Sequence, residues 1–241
     1  MKGEIMISMG KLFSIICGKY DKYILDKLER GGASIGKEIA LFSPMRTTID
    51  KTRPWLLSIG SYTKITQGCI ILTHDYSLSV LRRAYGDWIG EGQQTIIGEN
   101  CFLGMNSIIL MGTRIGNNVI VGAGSVVHGV VPDNVVVAGN PAKIICTLEE
   151  HYKNRLDKTK SEAIACARIF YERTGKVPKP KDLTSFKWLF VPREKNVVEQ
   201  YGLNFICSGD EPSEVEQAFY NSNPIWKSYQ EFLDECSLNK D

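Results

Sequence analysis

The chain has 241 residues and a formal net charge of +2, from 29 basic and 27 acidic side chains. Its content of 43% hydrophobic and 23% charged residues is that of an ordinary globular protein, which excludes a disordered or fibrous chain. The charges are nearly balanced and form no long run of one sign, so nucleic acid is not predicted as a partner.

Seven cysteines are scattered along the chain, in an odd number and without the paired spacing of a zinc site. We therefore expect reduced thiols, a cytoplasmic protein and no bound metal. The apolar stretch from Ile5 to Cys17 is interrupted by Gly10 and Lys11. It is too short to span a bilayer, so no membrane span is predicted.

Residues 1–30 are predicted to be a lead-in to the main fold. This segment ends as a short helix-like run, KYDKYILDKLER, followed by Gly31 and Gly32. Two glycines after such a run are typical of a helix end. We expect the lead-in to cap the open end of the fold that follows.

From residue 31 onward a six-residue repeat organises the chain. An aliphatic residue recurs every six positions, a glycine often follows it, and a small residue comes four positions later. This period fits neither a helix nor a continuous strand, but a short strand followed by a corner, so that the chain winds into a prism. Asparagine and glycine occupy the corners, where positive φ angles are needed. The aliphatic positions are Ile35, Leu41, Ile59, Ile65, Ile71, Ile97, Leu103, Ile109, Ile115, Val121 and Val127.

The repeat predicts an all-β solenoid over residues 31–146. Three repeats per coil give 18 residues per turn, the spacing that also separates Leu41 from Ile59. Neighbouring coils would then pair as parallel strands about 4.8 Å apart. An ice-binding or scaffold solenoid without catalysis would need a flat, repetitive outer face, whereas the outward residues of this chain are varied.

A break in the repeat indicates an inserted loop. The distance of 26 residues between Ile71 and Ile97 is not a multiple of six, so residues 75–94 must leave the prism. A long insertion in a compact fold is usually functional. This insertion carries Tyr76, Asp87 and Trp88, which suit stacking on and hydrogen bonding to a sugar.

The repeat region resembles a known family. The run from Ile96 to Ile145 is similar to the hexapeptide-repeat acyltransferases, and most similar to their xenobiotic, sugar and capsular-polysaccharide O-acetyltransferase branch. The sequences GAGSVV (122–127), GNPAK (139–143) and DKTRPWLLSIG leading to LTHDY (50–76) carry the resemblance, which covers residues 31–147. It implies a left-handed parallel β-helix, acetyl-CoA as acyl donor, a homotrimer, and a sugar or polysaccharide acceptor.

The resemblance gives His74, in LTHDY, the role of catalytic base. An imidazole can take the proton of a sugar hydroxyl as that hydroxyl attacks the acetyl thioester, and can then protonate the leaving thiol. A backbone N–H would stabilise the oxyanion. Asp50 and Asp87 are candidates for orienting the ring or for binding an acceptor hydroxyl, whereas Asp75 directly follows His74 and is not needed to orient it. Arg53 is a candidate for binding an acidic sugar.

The resemblance also implies that acetyl-CoA lies along the outside of the coils, with its pantetheine arm bonded to main-chain groups. Small residues there would let the arm approach the backbone. Where many relatives have a lysine after GAGSVV, this chain has His128 and Gly129. We therefore expect Lys143 to contact the nucleotide phosphates and His128 to lie at the rim. The other matching positions are Phe102, Gly104, Met105, Asn106, Ala123 and Gly124.

Beyond Cys146 the repeat stops, and residues 147–241 are predicted to form a mainly helical extension. Apolar positions between Leu148 and Phe170 predict one long helix that ends at Gly175. The stretch 177–192 is predicted to be an extended linker, and a last helix is predicted with Pro224 in its first turn. We expect the extension to cap the last coil and brace a neighbouring subunit.

Together these features predict an acetyl-CoA-dependent O-acetyltransferase that acts on a sugar hydroxyl in capsular or other surface polysaccharide synthesis. The alternatives are a serine- or antibiotic-type O-acetyltransferase, a nucleotide-sugar N-acyltransferase, and a non-enzymatic solenoid scaffold. The γ-type carbonic anhydrases share this fold but need three histidines that converge on zinc. The chain has only His74, His128 and His151, with no closely spaced pair.

Overall fold

A computed structural model of the protein describes residues 9–201, 205 and 207–238. The chain divides into two compact units, Met1–Glu149 and Glu150–Asp241, which are described separately. The beginning of the predicted lead-in, residues 1–8, lies outside the described residues. None of the described helices is long and apolar enough to cross a membrane.

The first unit contains a parallel β-helix with three faces, as the repeat predicts. Face one contains β1, β4, β7, β10 and β13; face two contains β2, β5, β8, β11 and β14; face three contains β3, β6, β9 and β12. The strands of each face pair in parallel from one coil to the next. The strands are β1 Ser34–Ile35, β2 Ala40–Leu41, β3 Thr48–Ile49, β4 Leu57–Ile59, β5 Lys64–Ile65, β6 Ile70–Ile71, β7 Thr95–Ile97, β8 Phe102–Leu103, β9 Ile108–Ile109, β10 Arg114–Ile115, β11 Ile120–Val121, β12 Val126–Val127, β13 Val130–Val131, β14 Val135–Gly139 and β15 Ala142–Thr147.

Aliphatic side chains stack inside the coil from one turn to the next. On face two, Leu41 pairs with Ile65, Ile65 with Leu103, and Leu103 with Val121. Burying each such side chain stabilises the fold by about 1.5–3 kcal/mol. The small residues that follow the aliphatic positions are buried as well: Thr63, Cys69, Cys101, Ser107, Thr113, Val119, Ser125 and Val131.

Corner residues explain why the repeat contains glycine and asparagine. A Cβ atom on Gly98 would lie 2.4 Å from the carbonyl oxygen of Gly116 in the next coil, so no side chain fits there. Asn100, Asn118 and Asn134 have φ angles of 51°, 56° and 58°. Their side-chain amides also form a ladder, with Nδ2-to-Oδ1 distances of 2.9 Å between successive members. The corner asparagines therefore both adopt the left-handed conformation and tie successive coils together.

The coils differ in length, which corrects one prediction. Ile35 pairs with Ile59 and Leu41 with Ile65, so the spacing of 18 residues between Leu41 and Ile59 does not define a coil. The first coil is longer because short 3₁₀ turns at Pro44–Arg46 and Pro54–Leu56 precede β3 and β4. The regular coils from β7 to β12 do follow the predicted period.

Three further elements complete the first unit. Helix α1, Met9–Arg30, is longer than the predicted run and buries Ile24 and Leu28 against the first coil. Helix α2, Leu78–Tyr85, lies within the insertion, for which no helix was predicted. The coil ends where β14 turns back through a cis Asn140–Pro141 peptide and pairs antiparallel with β15.

The second unit is helical, but two of its predicted boundaries are wrong. Residues 177–192 are not an extended linker, because 3₁₀ turns occupy Pro180–Leu189 and Leu183 and Phe190 are fully buried. The last helix starts after Ser228, whose side chain caps Glu231 N–H, so Pro224 precedes it. The helices are α3 Leu148–Thr174, which begins at the end of the first unit, α4 Lys195–Gln200, α5 Pro212–Asn221 and α6 Tyr229–Cys236.

Candidate active site

The corners of the coil carry the candidate functional residues. The first corner joins faces one and two, the second corner joins faces two and three, and the third corner joins face three to face one of the next coil. His74 follows β6 at the third corner, and its side chain is 29% exposed. Asp50 follows β3 at the same corner, and the pairing of Ile49 with Ile71 places it one coil below His74.

Asp50 and His74 are in direct contact. The Oδ2 atom of Asp50 lies 2.6 Å from Nδ1 of His74, and the Asp50 side chain is only 3% exposed. The Thr73 hydroxyl and amide donate to Oδ2, and the Thr52 hydroxyl and amide donate to Oδ1. The buried carboxylate is therefore surrounded by donors.

These donors keep the carboxylate ionised. Burial alone would raise the pKa of Asp50, but the hydrogen bonds from Thr73, Thr52 and His74 outweigh burial and hold that pKa well below its usual range. An ionised carboxylate only accepts hydrogen bonds, so Nδ1 of His74 must carry the proton in this contact. The other ring nitrogen, Nε2, is then free to accept a proton. This arrangement favours an orienting role for Asp50 over contact with an acceptor hydroxyl.

The insertion presents exposed aromatic side chains beyond His74. No residue of α2 is buried, and the side chains of Tyr76 and Trp88 are 75% and 85% exposed. The Arg82 guanidinium lies over the Trp88 ring, 4.7 Å from its centre. Asp87 is exposed as well and does not contact His74 within the hydrogen bonds that the structure shows. The insertion therefore exposes two flat aromatic rings and a carboxylate to solvent.

Two contacts hold the base of the insertion near the Asp50–His74 pair. The amide of Gln93 donates to the Thr73 carbonyl at 3.2 Å. The Arg53 guanidinium donates through Nη1 to the carbonyl oxygen of Glu91. Arg53 was predicted from the sequence to bind an acidic sugar. The structure shows that its Nη1 group instead fixes the insertion.

The predicted donor track lies at the second corner. Gly124 N–H donates to the Met105 carbonyl at 2.8 Å, so these residues stack in successive coils. Met105, Asn106, Ala123 and Gly124 are exposed there. Gly104 is buried, and a Cβ atom at this position would lie only 2.6 Å from the Ala123 nitrogen. Its role is to let two coils approach each other rather than to offer contact surface.

The remaining predicted donor-track residues lie on face two, on β15 and at the third corner. Phe102 points outward from face two, and Lys143 on β15 pairs with Ala138 close to the second corner. His128 lies between β12 and β13 and therefore at the third corner, the corner that carries His74. Within one chain, the structure thus separates His74 and His128 from the track at the second corner.

Two further chemistries bear on the site, a metal centre and a thiol close to His74 in the sequence. No group of three or more histidine, cysteine, aspartate or glutamate side chains there is arranged to hold a metal ion. Cys69, five residues before His74, is fully buried, and its Sγ lies 3.3 Å from the Gly104 carbonyl oxygen. It is a core residue, as its position in the repeat predicts.

Comparison with known proteins agrees with the repeat. Residues 94–128 match the family model described as the hexapeptide repeat of succinyl-transferase. Protein CapG of Staphylococcus aureus is 44% identical over 126 residues, which are 52% of this chain and 72% of CapG. The chain belongs to the hexapeptide-repeat acyltransferase family. Its coil is accordingly the left-handed parallel β-helix that the resemblance implies.

Other members of the hexapeptide-repeat acyltransferase family match shorter stretches. A putative acetyltransferase, YvoF of Bacillus subtilis, is 39% identical over 44% of this chain and 56% of its own length. A putative lipopolysaccharide biosynthesis O-acetyl transferase, WbbJ of Escherichia coli, is 54% identical over 23% of this chain and 28% of its own length. Among solved structures, a serine acetyltransferase of Neisseria gonorrhoeae has a TM-score of 0.38 and 28% identity, covering 48% of this chain and 38% of that one.

Proposed function

We propose that this acyltransferase moves an acetyl group from acetyl-CoA to a sugar hydroxyl in the synthesis of a capsular or other surface polysaccharide. The observation that carries the proposal is the partly exposed His74, whose Nδ1 lies 2.6 Å from Oδ2 of Asp50, so that Nε2 is left as the base. The description of WbbJ as a putative lipopolysaccharide biosynthesis O-acetyl transferase supports a polysaccharide acceptor, and CapG is the relative that the chain covers most fully among those compared above.

The reaction needs one base and no covalent enzyme intermediate. His74 Nε2 takes the proton of the acceptor hydroxyl as its oxygen attacks the thioester carbonyl. When the tetrahedral intermediate collapses, the C–S bond breaks and the imidazolium protonates the leaving thiolate. Asp50 stabilises the imidazolium in between, because its carboxylate stays ionised. The products are an acetyl ester and the free thiol of CoA.

The second corner is the proposed donor site. Ala123 and Gly124 are exposed there, and a Cβ atom on Gly124 would meet open space, so an extended ligand can reach main-chain groups. We place the pantetheine arm along Met105, Asn106 and these two residues. Lys143 and, from the third corner of a neighbouring subunit, the exposed His128 are the proposed contacts of the nucleotide end. Acetyl-CoA and reduced cysteines fit the cytoplasm as the compartment of the reaction.

The insertion is the proposed acceptor site. Tyr76 and Trp88 offer exposed ring faces on which a pyranose can stack, and Asp87 can accept hydrogen bonds from sugar hydroxyls. Arg53 would meet an acidic sugar with the guanidinium nitrogens that do not bind Glu91. This placement puts acceptor-binding groups on the segment that begins directly after His74.

A homotrimer with shared sites would join the two corners. Face three lies between them and presents Ile70, Ile108 and Val126 in three consecutive coils, each partly exposed. Covering this apolar row with a second copy removes it from water, and a closed three-fold ring lets every copy do so equally. His74 of one subunit would then face Met105 and Ala123 of its neighbour.

A thiol-release screen tests the proposed function. The protein is incubated with acetyl-CoA and separate acceptors: neutral and acidic sugars, nucleotide sugars, serine, and hydroxylated antibiotics. We expect CoA thiol release with at least one sugar hydroxyl and an ester product by mass spectrometry, both absent with the His74→Ala variant. Release with serine or an antibiotic alone, or an amide product on an amino sugar, would assign one of the other acyltransferase classes. A folded protein that releases no thiol with any acceptor would be a scaffold.

A further inference from the structure

Thr73 has no solvent exposure and contacts the Asp50 carboxylate through both its side chain and its backbone. Its hydroxyl lies 2.5 Å and its amide nitrogen 3.3 Å from Oδ2 of Asp50. This is the oxygen that contacts His74 Nδ1. The opposite oxygen, Oδ1, is bound by Thr52, which is exposed. Thr73 is therefore the buried group that fixes the carboxylate oxygen in contact with the base.

The position of Thr73 in the chain strengthens this reading. It immediately precedes His74, so the same backbone segment sets the place of the base and of the hydroxyl that anchors its partner. Its carbonyl also accepts a hydrogen bond from Gln93 at the base of the insertion. Apart from His74 itself, no side chain other than Thr73 donates to Oδ2 among the contacts shown, so rotation of Asp50 away from His74 would also break the Thr73 hydroxyl contact.

We propose that Thr73 is a positioning residue for acetyl transfer, whose hydroxyl anchors Asp50 Oδ2 so that His74 stays in the tautomer with Nδ1 protonated and Nε2 free. The proposal rests on the proposed function for its kinetic consequence. Its structural consequence, a single tautomer of His74, does not depend on the acceptor. Without the hydroxyl the ring would populate both tautomers, and one of them has no base directed at the acceptor.

The test compares Thr73→Val, which keeps the shape but removes the hydroxyl, with Thr73→Ser, which keeps the hydroxyl. We expect kcat to fall about tenfold in the Val variant, the effect of losing one hydrogen bond to a charged group, while KM for acetyl-CoA is unchanged. The Ser variant should recover most of kcat. The tautomer of neutral His74 is read from its ¹⁵N NMR signals, which are assigned by their absence in the His74→Ala variant. The wild-type and Ser proteins should show one tautomer, and the Val protein an average of two.

A matched control separates positioning from packing. Thr63 is also fully buried in the coil, and its hydroxyl donates to the Gly98 carbonyl at the first corner. Thr63→Val should lower the unfolding temperature but leave kcat and the His74 tautomer unchanged. Wild-type kcat and a single tautomer in Thr73→Val would overturn the proposal, as would equal losses in the Val and Ser variants. If Thr73→Val does not fold, Thr73→Ala gives the same comparison with Ser. Because NMR needs no substrate, a protein that acetylates no sugar still reports on the tautomer.

Discussion

The second and third corners of the same coil carry different kinds of chemistry. At the third corner the chemistry belongs to side chains: Asp50 and His74 are in contact, and donors surround the carboxylate. At the second corner, beside the exposed Met105 and Asn106, the proposed track runs over backbone and the small residues Ala123 and Gly124. A site of the first kind is broken by removing atoms, whereas a site of the second kind is broken by adding them. The following predictions use this difference.

The largest effect is expected from removing the His74 imidazole. His74→Ala or His74→Asn should lower kcat by about 10²–10⁴-fold, the usual contribution of a positioned base. Acetyl-CoA should still raise the unfolding temperature of the variant, because the second corner is unchanged and a corner side chain adds little to the core. The measurements are thiol release and thermal unfolding with and without acetyl-CoA. A variant with half of the normal turnover would remove the base role from His74.

Adding a bulky side chain at the second corner should abolish CoA binding, which the His74 variants are expected to keep. In the Ala123→Trp variant, CoA at about 100 times its wild-type Kd should no longer raise the unfolding temperature, a shift of about 5 °C in the unmodified protein. The indole would fill the track beside Gly124. Ser34→Trp, which adds the same bulk at an exposed position of face one, should keep the full shift. Unchanged CoA affinity in Ala123→Trp would place the donor elsewhere.

Mixing the two inactive variants tests whether one site uses both corners of different subunits. After subunit exchange between His74→Ala and Ala123→Trp proteins, a shared site is intact only when each of two neighbours supplies its unmutated corner. Random mixing in a closed ring gives this for about a quarter of the sites, so about a quarter of wild-type activity should return. Light scattering would confirm the trimer beforehand. A 27.0 kDa monomer, or no recovery after proven exchange, would contradict the shared site.

The coil could be predicted from sequence because each of its positions has the same environment in every turn. Leu103 and Val121 are buried for one reason, repeated coil by coil, and the six-residue period expresses that reason directly. The second unit has no such period. Leu183 and Phe190 are buried through contacts with distant residues such as Trp226, so a local pattern of lysine and proline suggested a linker instead.

The role of Asp50 was the part of the site that the sequence left open. Asp50 and Asp87 were equal candidates for orienting His74, because distance along the chain favours neither. The deciding fact is the pairing of Ile49 with Ile71, which sets Asp50 directly below His74. Ile49 falls outside the regular six-residue register, since 3₁₀ turns lengthen that coil. A search of the repeat that allowed corners of variable length would have aligned Ile49 with Ile71 and so placed Asp50 beside His74.

The smallest predicted effects concern stability and come from two carboxylates, the buried Asp50, which is surrounded by donors, and the partly buried Asp21. Asp50 accepts hydrogen bonds on both oxygens, whereas Oδ1 of Asp21 on α1 is buried with no partner among the described residues. Burial raises the pKa of Asp21 from 3.8 to about 6. Ionised Asp21 therefore destabilises the fold above about pH 6, and this cost is relieved as the pH falls through 6 towards 3.8. Ionised Asp50 stabilises the fold above pH 3.8, and that contribution is lost only at lower pH.

Opposite changes in stability should follow from the same substitution at these two positions. At pH 7.5, Asp50→Asn should lower the unfolding temperature by about 3–6 °C, because it weakens several hydrogen bonds to a charge. Asp21→Asn should raise it by about 1–2 °C, a small gain because Asp21 is partly exposed. At pH 5 the gain from Asp21→Asn should shrink, since the wild-type carboxyl is then mostly protonated, while the loss from Asp50→Asn should persist. Differential scanning calorimetry at both pH values measures the four shifts. A gain from Asp21→Asn that is equal at pH 5 and pH 7.5 would show that the side-chain charge is not its cause.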